Sequence, residues 1–461
     1  MAADKIDGEY RRMRLKVFLG AFFGYAAYYL VRKNLSLAAP GMIEDGLLDK
    51  ETAGFAMAGI PIAYAFSKFI MGSLSDHSDA RKFLVVGLII ASSVMAAVGL
   101  IPYSASIAVN GGILFAFMLA VGWLSGMGWP PCGRIMAHWF SQNERSFKMS
   151  IWNCSHNVGG GSLGLLVSAG VVVFASMGIT ESWRAAFIFP SVVAILFAAF
   201  CWWTLRDTPE SCGLPPIDKY RNDFSGAKAK KGEETKIPFK TLFVDYILKN
   251  PTLWLIGFAN IFVYFIRYGI ADWSPIYLQD ELGMSKLDSS LAYTVREYAG
   301  IVGTLLCGWL SSKYFKGRCA PVNVIYMLLV AVGVVAYWQA MPIAQMFALD
   351  VKYVVYASLA LIGAAIYGPV AMISIQAISI VPKNAAGTAA GFMGLLGYLV
   401  GDAILSKIAF GYVAESSLGW NFTFECFFAT SLIAAVICFV AMGKEKKMLE
   451  ERIAAAAAEQ K

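Results

Sequence analysis

Twelve apolar runs, each close to the length that crosses a bilayer, dominate this sequence and leave it few ways to fold. A membrane-spanning helix takes roughly 20 apolar residues, and the chain of 461 residues has a mean hydropathy of +0.60 with only 15% charged residues. This pattern predicts an all-α membrane protein with twelve transmembrane helices. The runs cover residues 15–39, 52–75, 83–103, 107–138, 147–176, 185–205, 250–276, 289–312, 321–342, 352–379, 386–413 and 421–443.

One long polar segment, residues 206–249, interrupts the apolar runs after the sixth. The segment is rich in charged residues, Gly and Pro, a composition typical of a linker. We therefore predict an N-terminal six-helix half over residues 1–205, a cytoplasmic linker over 206–249, and a C-terminal six-helix half with a cytoplasmic tail over 250–461.

Basic residues collect on one side of the predicted spans, whereas the loop from Glu44 to Glu51 on the other side leans acidic. Short loops rich in Lys and Arg stay in the cytoplasm, so we expect both termini to be cytoplasmic. The first fourteen residues lack a cleavage site and are not expected to be a removable signal peptide. The basic residues are Arg11, Arg12, Arg14, Lys16, Arg81, Lys82, Lys313, Lys316, Arg318, Lys444, Lys446 and Lys447.

The net charge of +7 is explained by these loops facing an anionic lipid leaflet. We therefore expect the lipid bilayer, and no nucleic acid, as a partner. The eight cysteines form no CxxC pair and mostly lie in apolar runs, which indicates packing residues and no metal site. No phosphate-binding loop and no nucleophile motif occurs, so neither a cofactor nor an enzymatic activity is expected.

The two halves share spaced motifs. The stretch from Gly72 to Lys82 matches the stretch from Gly308 to Arg318, Arg32 matches Arg267, and GWPP at Gly128 resembles IYGP at Ile366. The offsets between these pairs lie between 235 and 238 residues, which indicates a duplicated unit. This predicts two halves related by a pseudo-twofold axis along the membrane normal, with a site on that axis.

Arg32 and Arg267 each lie near the middle of a predicted span. An arginine at that depth costs about 2.5 to 3.5 kcal/mol on insertion scales, so it must face protein or water. One interpretation is a structural ion pair with Asp272, Glu297 or Asp402. The other is a shared dianion site, because the planar guanidinium matches phosphate oxygens and stays charged at physiological pH.

Phenolic side chains accompany both arginines. Tyr25, Tyr29 and Arg32 follow i, i+4, i+7 spacing on one helical face, and Tyr264 precedes Arg267 by three residues. Aromatic residues at helical spacing are common in cores, but hydroxyls beside a buried arginine favour a polar cavity.

Three further polar residues lie inside predicted spans. Tyr64 and Lys68 repeat the i, i+4 pattern, although Lys68 at this position could equally extend to the cytoplasmic interface. Asn153 and His156 share a face at i, i+3, and a histidine can change charge near neutral pH, where phosphate also titrates. Lys33 points about 100° away from Arg32 around a helix and is not expected to be a ligand.

Motifs across the chain resemble one family. FFGYAAYYLVRKN, IAYAFSKFIMGS, GMGWPPCGR, WNCSHNVGGG, RDTPESCGLPPI, FVYFIRYGIADWSP and EYAGIVGTLLCGW are similar to the organophosphate:phosphate antiporter family of the major facilitator superfamily. The resemblance implies a monomer in a bacterial inner membrane that imports glycerol 3-phosphate in exchange for inorganic phosphate by rocker-switch motion. It implies phosphate binding by Arg32, Arg267, His156 and Lys68, and a pathway lined by Tyr25, Tyr29, Tyr64, Trp129, Asn153, Tyr264, Glu297, Tyr367 and Tyr398.

Three charged residues depart from that resemblance. Asp402 and Lys407 lie in GYLVGDAILSK, and Arg296 stands beside Glu297. An acid and a lysine in this helix resemble the hexose-phosphate branch, so these residues are candidates for substrate specificity. A hexose-phosphate or phosphoglycerate antiporter, a membrane sugar-phosphate sensor and a proton-coupled transporter remain alternatives.

Overall fold

The computed structural model describes residues 2–221, 242–315, 317–381 and 385–459, and these residues form helices and connecting turns. Lys316 and residues 222–241 of the predicted linker lie outside the described residues. The helices up to the linker are α1 (Ala2–Tyr29), α2 (Asn34–Glu44), α3 (Lys50–Asp76), α4 (Ala80–Leu100), α5 (Ile107–Ser125), α6 (Trp129–Trp139), α7 (Gln142–Asn153), α8 (Ser155–Ser176), α9 (Ala185–Thr204) and α10 (Ile217–Arg221).

After residue 241 the helices begin with a seven-residue π-helix, Leu242–Leu248, which lies at the end of the predicted linker. A second π-helix, Leu396–Ala409, lies between the last two long helical regions. The α-helices are α11 (Pro251–Asp280), α12 (Lys286–Tyr314), α13 (Ala320–Trp338), α14 (Ala340–Met346), α15 (Val351–Ser379), α16 (Ala386–Leu395), α17 (Phe410–Glu415) and α18 (Gly419–Glu459).

All twelve predicted spans lie on these helices, which confirms the predicted fold class. Within the described residues, nine helical stretches are long and apolar enough to cross a membrane. The other three predicted spans, 15–39, 52–75 and 289–312, are the ones that carry Arg32, Lys68 and Arg296. Large apolar side chains such as Val302 and Phe439 are more than 60% exposed, as expected for surfaces that face lipid.

The chain divides into two compact units. The first unit comprises Met1–Leu48 and Gly59–Thr235, and the second comprises Asp49–Ala58 and Lys236–Lys461.

The beginning of the predicted linker packs against the first unit. Asp207 forms a two-point ion pair with Arg134, with N to O distances of 3.1 and 3.0 Å. Farther on, the ring of Tyr220 stacks on Tyr10 with 3.8 Å between centroids, and the Tyr10 hydroxyl donates to the Pro215 carbonyl. Residues 206–221 are therefore part of the first unit's packing.

Three spans of the first unit are not continuous helices, contrary to the prediction. Their breaks fall at Leu30–Lys33, at Gly126–Gly128 and at Cys154. At the first break, the Asn34 amide donates to the carbonyls of Leu30 and Ala186 at 2.9 and 2.8 Å. The side chain thus compensates a carbonyl that the interrupted helix leaves unpaired, as a broken helix in a membrane requires.

Glycines allow helices of the second unit to cross at backbone contact. A Cβ atom on Gly303 of α12 would lie 1.7 Å from the Ala364 carbonyl oxygen on α15, and one on Gly363 of α15 would lie 2.1 Å from the Arg296 carbonyl oxygen on α12. Neither contact is possible with a side chain, so these glycines determine how closely α12 and α15 pack.

We predict that Gly303→Ala lowers the stability of the protein by about 1 to 3 kcal/mol, because the added methyl group overpacks the α12–α15 crossing. The matched control is Gly394→Ala in α16, where a Cβ atom meets nothing within 4 Å. Thermal unfolding can be followed with a thiol-reactive dye, because several cysteines are buried. Equal melting temperatures for the two variants would contradict the prediction.

Candidate functional site

Arg32 lies in the break between α1 and α2, not on a helical face as the sequence predicted. Its side chain is buried, with 7% of the residue exposed. The guanidinium carbon lies 4.2 Å from the ring centre of Tyr64 and 4.9 Å from that of Tyr29. Two tyrosine faces therefore stabilise the positive charge by cation–π contact.

His156 lies just after the break at Cys154 and faces the same tyrosine. Its ring centre is 5.6 Å from that of Tyr29, and its Nδ1 contacts the Asn153 carbonyl. Because a carbonyl only accepts, Nδ1 carries a proton. Asn153 thus contributes through its backbone, by orienting the imidazole.

A row of aromatic rings, in edge and stacked contacts, leads from Tyr29 to Lys68. Tyr25 lies 5.5 Å from Tyr29 and stacks on Trp152 at 4.7 Å. Trp152 lies 6.4 Å from Trp129, whose ring centre is 6.0 Å from the Lys68 ammonium. Lys68 itself is exposed, so it lies at the open end of this row of rings.

Arg267, in the middle of α11, is the central cation of the second unit. It is 5% exposed, and its guanidinium carbon lies 4.6, 4.7 and 5.9 Å from the ring centres of Tyr367, Tyr268 and Tyr264, here called the tyrosine cage. Tyr398 packs against Tyr264 at 5.1 Å. The buried Nε atom has no hydrogen-bond partner, and no carboxylate in the described part of the chain pairs with this guanidinium.

Glu297 is paired with its neighbour in the chain. Its Oε1 atom lies 2.5 Å from Nη1 of Arg296, and its Oε2 atom accepts a 2.5 Å hydrogen bond from the Tyr367 hydroxyl. The other terminal nitrogen of Arg296 donates to the Arg267 carbonyl at 2.7 Å. Arg296 therefore contacts both the Glu297 carboxylate and the backbone of Arg267.

Lys407 lies between two acids, in a cluster we call the lysine cluster. Its ammonium is 2.8 Å from Asp272 on α11 and contacts Asp402, and all three residues are at most 2% exposed. Asp402 and Lys407 are five residues apart, which would separate them on an α-helix. The π-helix Leu396–Ala409 brings them together, because its wider turn aligns positions i and i+5.

The buried charges of the second unit balance. Among its described residues, three bases and three acids are buried, so they sum to zero: Arg267, Arg296 and Lys407 against Asp272, Glu297 and Asp402. Each acid contacts a base other than Arg267. The total charge around Arg267 is therefore balanced, although no carboxylate among these described residues pairs with its guanidinium.

The structure thus groups the predicted site residues within each unit. Trp152 and Tyr268 were missed by the sequence reasoning. Tyr268 contacts both Arg267 and Lys407, at 4.7 and 5.3 Å. The signals were present, since Trp152 precedes His156 by four residues and Tyr268 follows Tyr264 by four. In the first unit the contacts join Tyr25, Tyr29, Arg32, Tyr64, Lys68, Trp129 and His156; in the second they join Tyr264, Arg267, Arg296, Glu297, Tyr367, Tyr398, Asp402 and Lys407.

Membrane-spanning helices that surround buried cations and phenolic side chains define a multi-pass membrane transporter. The family model of the Major Facilitator Superfamily matches residues 21–406. The chain belongs to that superfamily and, by the relatives described next, to its organophosphate transporter family. It is a transporter and not an enzyme.

A glycerol-3-phosphate transporter of Bacillus subtilis is 45% identical over 94% of this chain and 93% of its own length. One of Haemophilus influenzae is 42% identical over 97% and 95%. A phosphoglycerate transporter protein of Salmonella typhimurium is 33% identical over 95% and 90%. The fold is shared with an inward-facing bacterial homologue of the lysosomal transporter Spinster, with a TM-score of 0.67, 18% identity, and 94% and 98% of the two chains covered.

We predict that Lys407→Met destabilises the protein by about 3 to 5 kcal/mol, because it removes the lysine from two buried carboxylates. Asp402→Asn should cost less, since the Lys407–Asp272 pair remains. Lys352→Met is the matched control, because Lys352 is partly exposed at the start of α15. The measurement is thermal unfolding in detergent, and a Lys407→Met melting temperature equal to that of the control would refute the prediction.

Proposed function

We propose that this protein is a bacterial inner-membrane antiporter that imports glycerol 3-phosphate in exchange for inorganic phosphate. The observation that carries the proposal is the Arg267 guanidinium, which is buried in the tyrosine cage and, among the described residues, pairs with no carboxylate. A guanidinium stays charged at every physiological pH and matches phosphate oxygens with two parallel donors. Bound phosphate would supply the anion that this cation lacks.

Arg32 is the proposed phosphate ligand of the first unit. It occupies the corresponding place in the duplicated sequence and is also enclosed by tyrosine rings. His156 and Lys68 would assist, His156 from beside Tyr29 and Lys68 from the exposed end of the aromatic row. The remaining pathway residues would contact the organic part of the substrate.

Burial of a cation gives a physical reason for exchange. Carrying an arginine through an occluded, low-dielectric state without an anion costs several kcal/mol. Bound phosphate offsets that cost, so the protein would change its access side quickly only when loaded. Outward movement of abundant cytosolic phosphate could then drive uptake by rocker-switch motion, without ATP.

The organic part of the substrate distinguishes the leading proposal from its alternative. The names of the Bacillus subtilis and Haemophilus influenzae relatives favour glycerol 3-phosphate. Arg296 and the lysine cluster favour the alternative, a hexose-phosphate or phosphoglycerate antiporter of the same mechanism, because they add buried charge beside the tyrosine cage. The basic loops support an orientation with both termini in the cytoplasm.

The test is uptake of radiolabelled phosphate into proteoliposomes preloaded with phosphate. Glycerol 3-phosphate, glucose 6-phosphate and 3-phosphoglycerate are added as competitors in parallel. Strong inhibition by glycerol 3-phosphate alone supports the proposal, and stronger inhibition by another competitor supports the alternative substrate. Absence of exchange would favour a sensor, and collapse of exchange by an uncoupler would favour proton coupling.

We predict that Arg32→Lys and Arg267→Lys each reduce phosphate exchange at least about 100-fold, equivalent to about 3 kcal/mol, because an ammonium cannot form the two-point contact. Arg145→Lys is the matched control, since the Arg145 guanidinium donates to the backbone carbonyls of Phe140 and Ala137 near the start of α7. Near-normal exchange by either test variant would remove that arginine from the proposed site.

We also predict that Asp402→Asn changes the preference among organic phosphates while phosphate self-exchange is retained. The variant keeps the Lys407–Asp272 pair but changes the charge of the lysine cluster beside Tyr268. Competition curves for the three organic phosphates measure the change. Loss of self-exchange would instead assign Asp402 a structural role or a direct role in coupling.

A further inference from the structure

Arg296 is the most deeply buried of the three cations in the second unit's described residues. It is 1% exposed, against 2% for Lys407 and 5% for Arg267. Its two terminal nitrogens are both used, one on Glu297 at 2.5 Å and the other on the Arg267 carbonyl at 2.7 Å. Both terminal nitrogens of this side chain are therefore engaged within the protein, and its Nε atom, which has no hydrogen-bond partner among the described residues, is buried.

Tyr367 lies between Glu297 and the Arg267 guanidinium and contacts both. The Tyr367 hydroxyl donates to Glu297 at 2.5 Å, and the ring of the same tyrosine lies 4.6 Å from the Arg267 guanidinium carbon. A carboxylate this close to a buried guanidinium would ordinarily pair with it, since each charge stabilises the other in a low dielectric. The pairing of Glu297 with Arg296 occupies the carboxylate instead.

The backbone of Arg296 is fixed by its neighbours. Gly363 of α15 lies so close that a Cβ atom there would be 2.1 Å from the Arg296 carbonyl oxygen. With its backbone held and both terminal nitrogens bonded, the Arg296 guanidinium has little freedom to move. It therefore holds Glu297 in one orientation.

We propose that Arg296 is a positioning residue that keeps Glu297 from pairing with Arg267, so that Arg267 stays available to the phosphate group of the substrate. This inference rests on the proposed function, because it takes phosphate as the ligand of Arg267. Without Arg296, Glu297 would lose the cation that pairs with it here, and the Arg267 guanidinium on the other side of Tyr367 would be a new partner. Substrate phosphate would then compete with an internal carboxylate.

The test measures binding rather than transport. Phosphate and glycerol 3-phosphate are titrated calorimetrically into the purified full-length protein, Arg296→Gln, Arg296→Gln/Glu297→Gln, and the control Lys352→Gln, which removes a positive charge at the partly exposed end of α15. We expect Arg296→Gln to weaken binding of both ligands at least about tenfold, equivalent to about 1.4 kcal/mol. The double variant removes the competing carboxylate as well and should regain most of that affinity.

A purely structural role for Arg296 predicts a different result, in which the double variant binds as weakly as Arg296→Gln or more weakly. That result would overturn the inference, as would unchanged affinity in Arg296→Gln. If Arg296→Gln does not fold, the double variant decides alone, because it removes both charges of this pair. The inference then requires the double variant to bind both ligands with nearly the affinity of the unmodified protein. Failure of the unmodified protein to bind either ligand would instead refute the proposed function.

Discussion

The cost of burying a positive charge is the constraint on which the rest of this structure depends. An arginine in the middle of a membrane protein loses its hydration and must regain the lost free energy from its surroundings. The two units do this with tyrosine rings, which face Arg32 in one and Arg267 in the other. In the second unit, the charges of six buried side chains also sum to zero. The charge of Arg267 is therefore compensated at a distance, although no carboxylate among the described residues pairs with its guanidinium. A cation held in this way would be stable when buried and would still be able to accept an anion.

Irregular segments of the backbone place side chains where regular helices would not. Arg32 lies in one helix break, Trp129 follows another, and His156 follows a third. In the second unit a π-helix performs the same task by placing Lys407 beside Asp402. Breaks and π-turns are costly in a membrane unless their carbonyls find donors, as Leu30 finds Asn34 and Ser406 finds the indole of Trp273. Helix breaks or the π-helix thus lie beside Arg32, His156 and the lysine cluster. Arg267, Arg296 and Glu297 instead lie within the continuous helices α11 and α12.

Much of this arrangement could be predicted from the sequence, because hydropathy determines which segments span a membrane and charge in such a segment is conspicuous. The twelve spans and the fold follow from that reasoning, as does the choice of Arg32, Arg267 and their tyrosines as candidates. The break at residues 30–33 could not be predicted, because it depends on a tertiary hydrogen bond from Asn34 to Ala186. The pairing of Asp402 with Lys407 depends on a π-helix that α-helical spacing excludes. Which base each acid pairs with likewise depends on distances in three dimensions. From the sequence alone, three acids were possible partners of Arg32 and Arg267.

The zero sum of the buried charges in the second unit has a kinetic consequence. The electric potential of a balanced group of charges falls off with distance much faster than that of a single cation. Arg267 would therefore exert little long-range attraction on an approaching anion and would act mainly at contact. Long-range attraction raises association rates, whereas contacts formed after desolvation slow dissociation. In this unit the arginine would accordingly govern how long an anion stays rather than how often one arrives.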